Sequence, residues 1–353
     1  MSESVVVLLY GGQSAEHEVS LQSAATIHRA LMELGYQVHC VGIDRTGIWR
    51  YAGVNGTFPS SVSIAEPAAW LCPGARKLAW QTPEASLCEI KVDVLFPALH
   101  GRWGEDGTVQ GLAALCGLPC VGTGVLGSAV SMDKDTTKRL LRDSGIQVAP
   151  WLAVRAMPAW SDVVQTLGTT VFVKPAASGS SFGVSRVTCE DAYSTAFEEA
   201  LKYDDKVLVE AEVRGREIEC GILEVDESVI ASEPGEVVPP SGGFYDYQAK
   251  YEDENGTDLR VPCDLPAHVR ARIQALSRQV FECLGLRTFA RIDFFLCEDG
   301  AIVLNEVNTL PGFTGISMYP RMFEASGYSL ARLVKTLMDA TLSAHKNMGR
   351  SAA

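Results

Sequence analysis

Apolar positions along this chain follow two periods, and the switches between them mark out its elements. Val5 to Leu9 is a continuous apolar run of strand length, after which Ala24, Ile27, Leu31 and Leu34 recur at the spacing of one helical face up to Gly35. Tyr36 to Ile43 returns to strand character, so the chain opens as a βαβ unit. Gly53 to Glu89 carries Pro, Gly, Ser and Trp without a clear period and reads as an irregular excursion before a strand at Val92 to Ala98. The pattern then predicts a helix from Asp106 or Thr108 to Cys116 and another from about Asp133 to Ser144. Strands follow at Thr170 to Val173 and Val184 to Val187, a helix at Asp191 to Tyr203, and strands at Lys206 to Glu210 and Glu217 to Leu223. Ala267 to Leu284 is a helix of period 3.6, and Leu330 to Leu342 closes the chain with another.

Between those last two helices, Ala290 to Leu296 and Ala301 to Leu304 flank the turn-forming Glu298-Asp299-Gly300 and predict a β-hairpin, followed by Asn305-Glu306-Val307-Asn308. Side chains two apart share a face of a strand, so Asp293, Glu306 and Asn308 can converge, with Arg291 beside them. Two carboxylates and an amide are hard oxygen donors of the kind that hold Mg²⁺ together with phosphate oxygens. The same residues suit a solvated surface hairpin, and the short pattern alone does not separate the two readings.

Four loops carry further candidate chemistry. Gly11-Gly12-Gln13-Ser14 leads from the first strand to Glu16, which is either a helix-capping acid or a ligand group at the edge of an α/β sheet. His100 lies in the glycine-rich Leu99 to Gly107 loop, where it reads equally as a plain loop histidine or a functional one. Lys174 precedes Ala176 to Gly183, a run of small residues suited either to folding over phosphates or to an ordinary flexible hairpin loop. It lacks the spacing of a P-loop, and G-x-G-x-x-G is absent, which removes the main support for a dinucleotide site. Pro239 to Tyr251 is long, glycine-led and tyrosine-rich, as a lid would be.

Composition narrows the partners. At 353 residues and 47% hydrophobic content the chain can bury a large core in two or three domains. A formal charge of −13 and a pI near 5.0 leave no basic footprint for nucleic acid or an anionic membrane. Ten cysteines without a C-x-x-C pair suggest neither a zinc framework nor a redox motif. No apolar run approaches the ~20 residues of a spanning helix, and the N-terminus lacks the basic region of a signal peptide, so a cytosolic location is expected.

Taken in order, GGQSAEHEVS, LHGRWGEDG, SMDK, FVKPAASGSSFG, GFYDYQAKY and NEVNTLPGFTGISMYP resemble the D-alanine-D-alanine ligases of the ATP-grasp superfamily, from about Val5 to the last helix. The resemblance implies an α/β protein, α+β in its ATP-grasp part. Residues 1–122 would form an open parallel α/β substrate domain, 123–213 a central ATP-grasp lobe, and 214–353 a C-terminal lobe with metal site and lid. It implies that ATP phosphorylates the carboxylate of one D-alanine and that the amine of a second attacks the acyl phosphate, for peptidoglycan precursor synthesis in a bacterial cytoplasm. Asp293, Glu306 and Asn308 would hold two Mg²⁺ ions, replaceable by Mn²⁺, with Glu306 shared. Lys134 and Lys174 match phosphate-contacting lysines, Glu210 and Val213 the adenine hinge, Glu217 the ribose contact, and Ser181 also falls in the ATP site. Glu16 is similar to the residue that binds the first ammonium, with Ser180 and Tyr251 as its hydrogen-bonded partners and His100 near the first carboxylate. Arg291 and the Gly312 N–H match the oxyanion stabilisers. Lys250 counts among the ATP contacts and, with Ser317 and Met318, matches positions that receive the second amino acid. A homodimer is implied as well. The tyrosine-rich lid and Met318 favour D-alanine at the second site, whereas Ser178 in SGSSFG and the bulky Trp103 depart from ordinary ligases and leave D-serine or D-lactate open. A non-catalytic ATP-binding module is a more distant alternative.

Overall fold

A strand whose residues are all apolar can lie only where both faces of its sheet are covered. Val5–Gly11 meets that condition in the computed structural model, which describes residues 4–179, 181–226, 228–238 and 258–351. It runs parallel to Gln37–Ile43 on one side and to Val94–Pro97 on the other, with Trp49–Val54 antiparallel at the edge. Val6 to Tyr10 have no exposed surface, because helix His17–Glu33 covers one face and helix Thr108–Leu115 the other. The two parallel neighbours lie on opposite sides of the first strand, so the loops after Gly11 and after Pro97 diverge. The crevice this opens at the carboxyl ends is where α/β sheets take their ligands.

The stretch expected to be irregular is ordered. Trp49–Val54 is followed by an antiparallel meander of Ala69–Cys72, Lys77–Gln81 and Leu87–Lys91. These strands are too short for a period to show in sequence, and their alternation is set by packing: Leu71 and Leu78 are buried, and Trp80 stacks on Tyr51 with ring centroids 4.1 Å apart.

A second, antiparallel sheet has the order Ser185–Val187, Val171–Pro175, Val207–Ala211, Trp151–Val154, backed by helices Trp160–Leu167 and Glu190–Leu201. The third centres on Arg216–Val225, which pairs with Phe289–Leu296, Gly235–Val238 and Ser228–Ala231; Ile302–Asn308 and Asp258–Arg260 form its edges. Strand Trp151–Val154 and helices Val125–Met132, Trp160–Leu167 and Met318–Ala325 are not among the predicted elements. The closing helix, Leu330–Ser351, runs past its expected end. Its Leu333, Val334, Leu337 and Met338 are fully buried in the same cluster as Ile27 and Leu31, so the end of the chain is packed on its beginning. The expected lid, Pro239 to Tyr251, lies outside the described residues.

Candidate active site

The hairpin is longer than its apolar residues suggest, because Ile302–Asn308 keeps pairing with Phe289–Leu296 through the polar end. Asp293 stands opposite Glu306 and Arg291 opposite Asn308. Ala290, Ile292 and Phe294 are buried in the core beneath, which forces the odd-numbered side chains to the opposite face. There Arg291 donates from Nε to Asp293 Oδ1 at 2.8 Å and from Nη2 to Asp293 Oδ2 at 2.7 Å, and Asn308 Nδ2 donates to Asp293 Oδ2 at 2.9 Å. Glu219, register partner of Asp293 on the neighbouring strand, places Oε2 2.9 Å from Arg291 Nε. Burial disfavours the charged guanidinium, but Asp293 and Glu219 outweigh it and hold the Arg291 pKa well above its usual value. Glu219 is a site residue that the motifs miss, although its alternation with the buried Ile218 and Cys220 is visible in the sequence.

The hairpin face looks across a crevice to the loops of the first sheet, and Glu16, His100, Gly312, Ser317 and Met318 line it together with Arg291, Asp293, Glu306 and Asn308. Glu16 occupies the N-cap position of helix His17–Glu33 but makes no side-chain cap hydrogen bond. Its carboxylate is turned towards the crevice instead: a Cβ on Gly101 would stand 2.9 Å from Glu16 Oε2, and one on Gly179 3.2 Å. His100 is buried, with Nδ1 3.1 Å from the Leu310 carbonyl and Nε2 3.1 Å from Ser23 Oγ. A carbonyl only accepts, so Nδ1 carries the hydrogen and Nε2 accepts from Ser23. Burial lowers the His100 pKa against the opposing pull of Glu16, which keeps the ring neutral.

A second cavity of about 370 Å³ opens between the antiparallel sheet and the hairpin, and Lys134, Lys174, Ser181, Glu210, Val213 and Glu217 line it. Glu306 borders both spaces. Lys134 Nζ donates to the Ser178 carbonyl at 2.5 Å and stands 3.9 Å from Glu306 Oε2. Lys174 Nζ lies 2.9 Å from Glu210 Oε1, and Lys138 Nζ, from a side chain only 1% exposed, lies 2.6 Å from Glu210 Oε2. Burial acts to raise the Glu210 pKa, yet Lys174 and Lys138 together lower it, so the group is a carboxylate. Lys138 is a second residue absent from the expected set; its signal is the i, i+4 spacing from Lys134 on helix Lys134–Asp143.

Ser180, Lys250 and Tyr251 lie outside the described residues. Among the described residues no group of three or more His, Cys, Asp or Glu side chains is arranged to hold a metal. The donor set here is two carboxylates and an amide, which suits an ion that keeps water ligands and takes phosphate oxygens, as Mg²⁺ does.

Comparison with known proteins identifies the family. Residues 5–123 match the family model described as D-ala D-ala ligase N-terminus, and residues 140–339 match D-ala D-ala ligase C-terminus. The D-alanine--D-alanine ligase A of Pseudomonas putida is 58% identical over 345 residues, covering 97% of this chain and 98% of that protein. Among solved structures, the D-alanine-D-alanine ligase from Coxiella burnetii superposes with a TM-score of 0.85 at 32% identity, covering 100% of this chain and 97% of the other. The VanG D-Ala:D-Ser ligase from Enterococcus faecalis superposes with a TM-score of 0.82 at 32% identity, covering 96% of this chain and 100% of the other.

Proposed function

The chain belongs to the D-alanine-D-alanine ligase family of ATP-grasp enzymes and ligates D-alanine for peptidoglycan synthesis, and from that premise we propose how its own residues divide the reaction. The observation that carries the reading is the position of Glu306, which borders both the crevice and the cavity, so that phosphoryl donor and acceptor would meet at the hairpin. A carboxylate is a poor acyl donor until one oxygen becomes part of a phosphate leaving group, so the first step must bring two anions together. Glu16 binds the ammonium of the first D-alanine, while His100, neutral and carrying its hydrogen on Nδ1, borders the site of its carboxylate. The adenine lies against Glu210 and Val213, the ribose against Glu217, and Lys134, Lys174 and the Ser181 segment surround the phosphates. Asp293, Glu306 and Asn308 would hold two Mg²⁺ ions, with Mn²⁺ as a substitute, which when bound offset the charge crowded onto the phosphates.

In the second step the amine of the other D-alanine attacks the acyl phosphate, and its carbonyl oxygen becomes an oxyanion. Arg291 and the Gly312 N–H stabilise that charge, after which the C–O bond to phosphate breaks and inorganic phosphate leaves. Ser317 and Met318 shape the second pocket, where the buried Met318 suits a methyl side chain. Proposed roles also fall to Ser180, Lys250 and Tyr251, which lie outside the described residues. The three-part division at 122 and 213, a homodimer and a cytoplasmic location belong to the same reading; among the described residues no helix is long and apolar enough to cross a membrane.

A second reading, D-serine as the second amino acid, draws on Ser178 and on the likeness to the VanG ligase. Phosphate release by purified protein with ATP and Mg²⁺ separates the two. D-alanine alone should support turnover, and L-alanine should not. A rate with D-alanine plus D-serine well above that with D-alanine alone, with mixed dipeptide as product, would replace the first reading by the second.

A further inference from the structure

Glu105 is the one acid of the Leu99 to Gly107 loop that borders the crevice, and no role above uses it. Its two carboxyl oxygens accept from one near and one distant backbone group: Oε2 from Gly101 N–H at 2.7 Å in the same loop and Oε1 from Leu310 N–H at 3.1 Å, across 205 residues. The carbonyl of the same Leu310 is held by His100 Nδ1 at 3.1 Å. Three residues on, Phe313 N–H donates to Ser23 Oγ at 3.1 Å, and Ser23 also bonds His100 Nε2. Position 310 is therefore fixed through both its N–H and its C=O, and position 313 through its N–H. Gly312 lies between these anchors, so closely packed that a Cβ there would stand 2.8 Å from Ser317 Oγ and 3.8 Å from Ser23 Oγ.

Glu105 is half-buried, and a carboxyl group whose two oxygens bridge two segments can be replaced by an amide only in part, since an amide has one accepting oxygen. Burial and the neighbouring Glu16 push the Glu105 pKa up to about 8, and Gly101 and Leu310 oppose that shift through the hydrogen bonds just described. We propose that Glu105 is a positioning residue of the second half-reaction, which with Ser23 and His100 sets the 310–313 turn so that the Gly312 N–H meets the oxyanion. This rests on the oxyanion role given to Gly312 above. Donors aimed at a developing charge lose most of their effect when displaced by a fraction of an ångström, whereas ATP binding in the neighbouring cavity does not use the turn.

The test uses the full-length ligase with Glu105→Gln and Ser23→Ala, reading dipeptide and phosphate from the same reaction, KM for ATP, and affinity for a phosphinate analogue of the tetrahedral intermediate. In Glu105→Gln, kcat for dipeptide should fall about 10- to 100-fold while KM for ATP stays within about threefold. Analogue affinity should fall in parallel with kcat, because both read transition-state binding. Phosphate should exceed dipeptide as acyl phosphate is lost to water. Values of kcat and analogue affinity both within about twofold of the parent would overturn the role of Glu105 and leave the Gly312 reading standing. A fall in kcat with unchanged analogue affinity would instead overturn the oxyanion reading and the proposal with it. If Glu105→Gln does not fold, Ser23→Ala, which leaves the Glu105 bonds intact, carries the same comparison with a fall of about 3- to 10-fold expected.

Discussion

Replacing Lys138 by methionine tests whether the buried charges beneath the cavity proposed for ATP act as one unit. Lys138 and Lys174 bracket Glu210 at 2.6 and 2.9 Å, and the Lys138 and Glu210 side chains are 1% and 6% exposed. Methionine keeps most of the aliphatic stem but removes the ammonium, which also lies over the Trp151 ring 5.7 Å from its centroid. What is lost is one of two cations around a single anion. At an effective dielectric of about 20, opposite charges about 4 Å apart attract by about 4 kcal/mol, and releasing the ammonium from its desolvation offsets much of that. Orphaning a buried charge costs about 3–5 kcal/mol, but Glu210 keeps Lys174, so this is an upper bound. The expected net loss is about 1–3 kcal/mol. Glu210 is then held on one oxygen only, and KM for ATP should rise about 3- to 10-fold with kcat changed by less. Urea unfolding and ATP-dependent kinetics measure the two effects, and Glu210→Gln completes a double-mutant cycle, in which residues in contact should couple by about 0.5–3 kcal/mol. Stability within about 0.5 kcal/mol of the parent, an unchanged KM and additive double-mutant energies would refute the unit.

Glu306→Gln should leave the circular dichroism spectrum unchanged and lower turnover by about two orders of magnitude or more, since it removes charge from a hairpin carboxylate that borders both spaces; near-parental turnover at saturating Mg²⁺ would take Glu306 out of the mechanism. Gly101→Ala would put a Cβ 2.9 Å from Glu16 Oε2 at a backbone φ of +70°, so it should raise KM for D-alanine several-fold and cost about 1 kcal/mol of stability. Thermal melts and D-alanine titrations check both effects. Burial lowers the His39 pKa to about 4, below its unfolded value, so the neutral ring favours the fold above about pH 6.5 and that contribution is lost as pH falls towards 4. The loss is about 3 kcal/mol at most by linkage, and His39→Gln should flatten this acid limb of the urea midpoint against pH.

What the sequence displays and what it conceals follow from the range of each interaction. Asp293, Glu306 and Asn308 are legible because a two-residue period and a short turn decide locally which side chains share a face. The βαβ opening is legible because a strand covered on both faces must be apolar throughout. Glu105 is not, since its partners are Gly101 and a residue 205 positions away, and nothing nearby separates it from Asp106, which accepts from the Trp103 and Thr108 N–H groups at the start of the next helix. Lys138 looks like any helix lysine until strand Val207–Ala211 brings Glu210 against it. Trp49 to Lys91 conceals its strands because four- to six-residue segments show too few alternations to be counted.

The same distinction accounts for a chain of charge −13 that uses an anionic nucleotide. Net charge describes the far field, whereas binding is decided locally: in the crevice Glu16, Glu217, Glu219, Asp293 and Glu306 gather with Arg291 as the cation among the described lining residues, and in the adjoining cavity Lys134 and Lys174 line the space proposed for the phosphates. Arg291 is already engaged by Asp293 and Glu219. On the roles proposed above, the reaction brings further cations to these acids, an ammonium to Glu16 and divalent metal to the hairpin, beside the Lys134 ammonium that already stands 3.9 Å from Glu306. Under that proposal triphosphate is attracted both by Lys134 and Lys174 and by cations held on the site's own acids, so that carboxylates which alone would repel ATP come to help bind it.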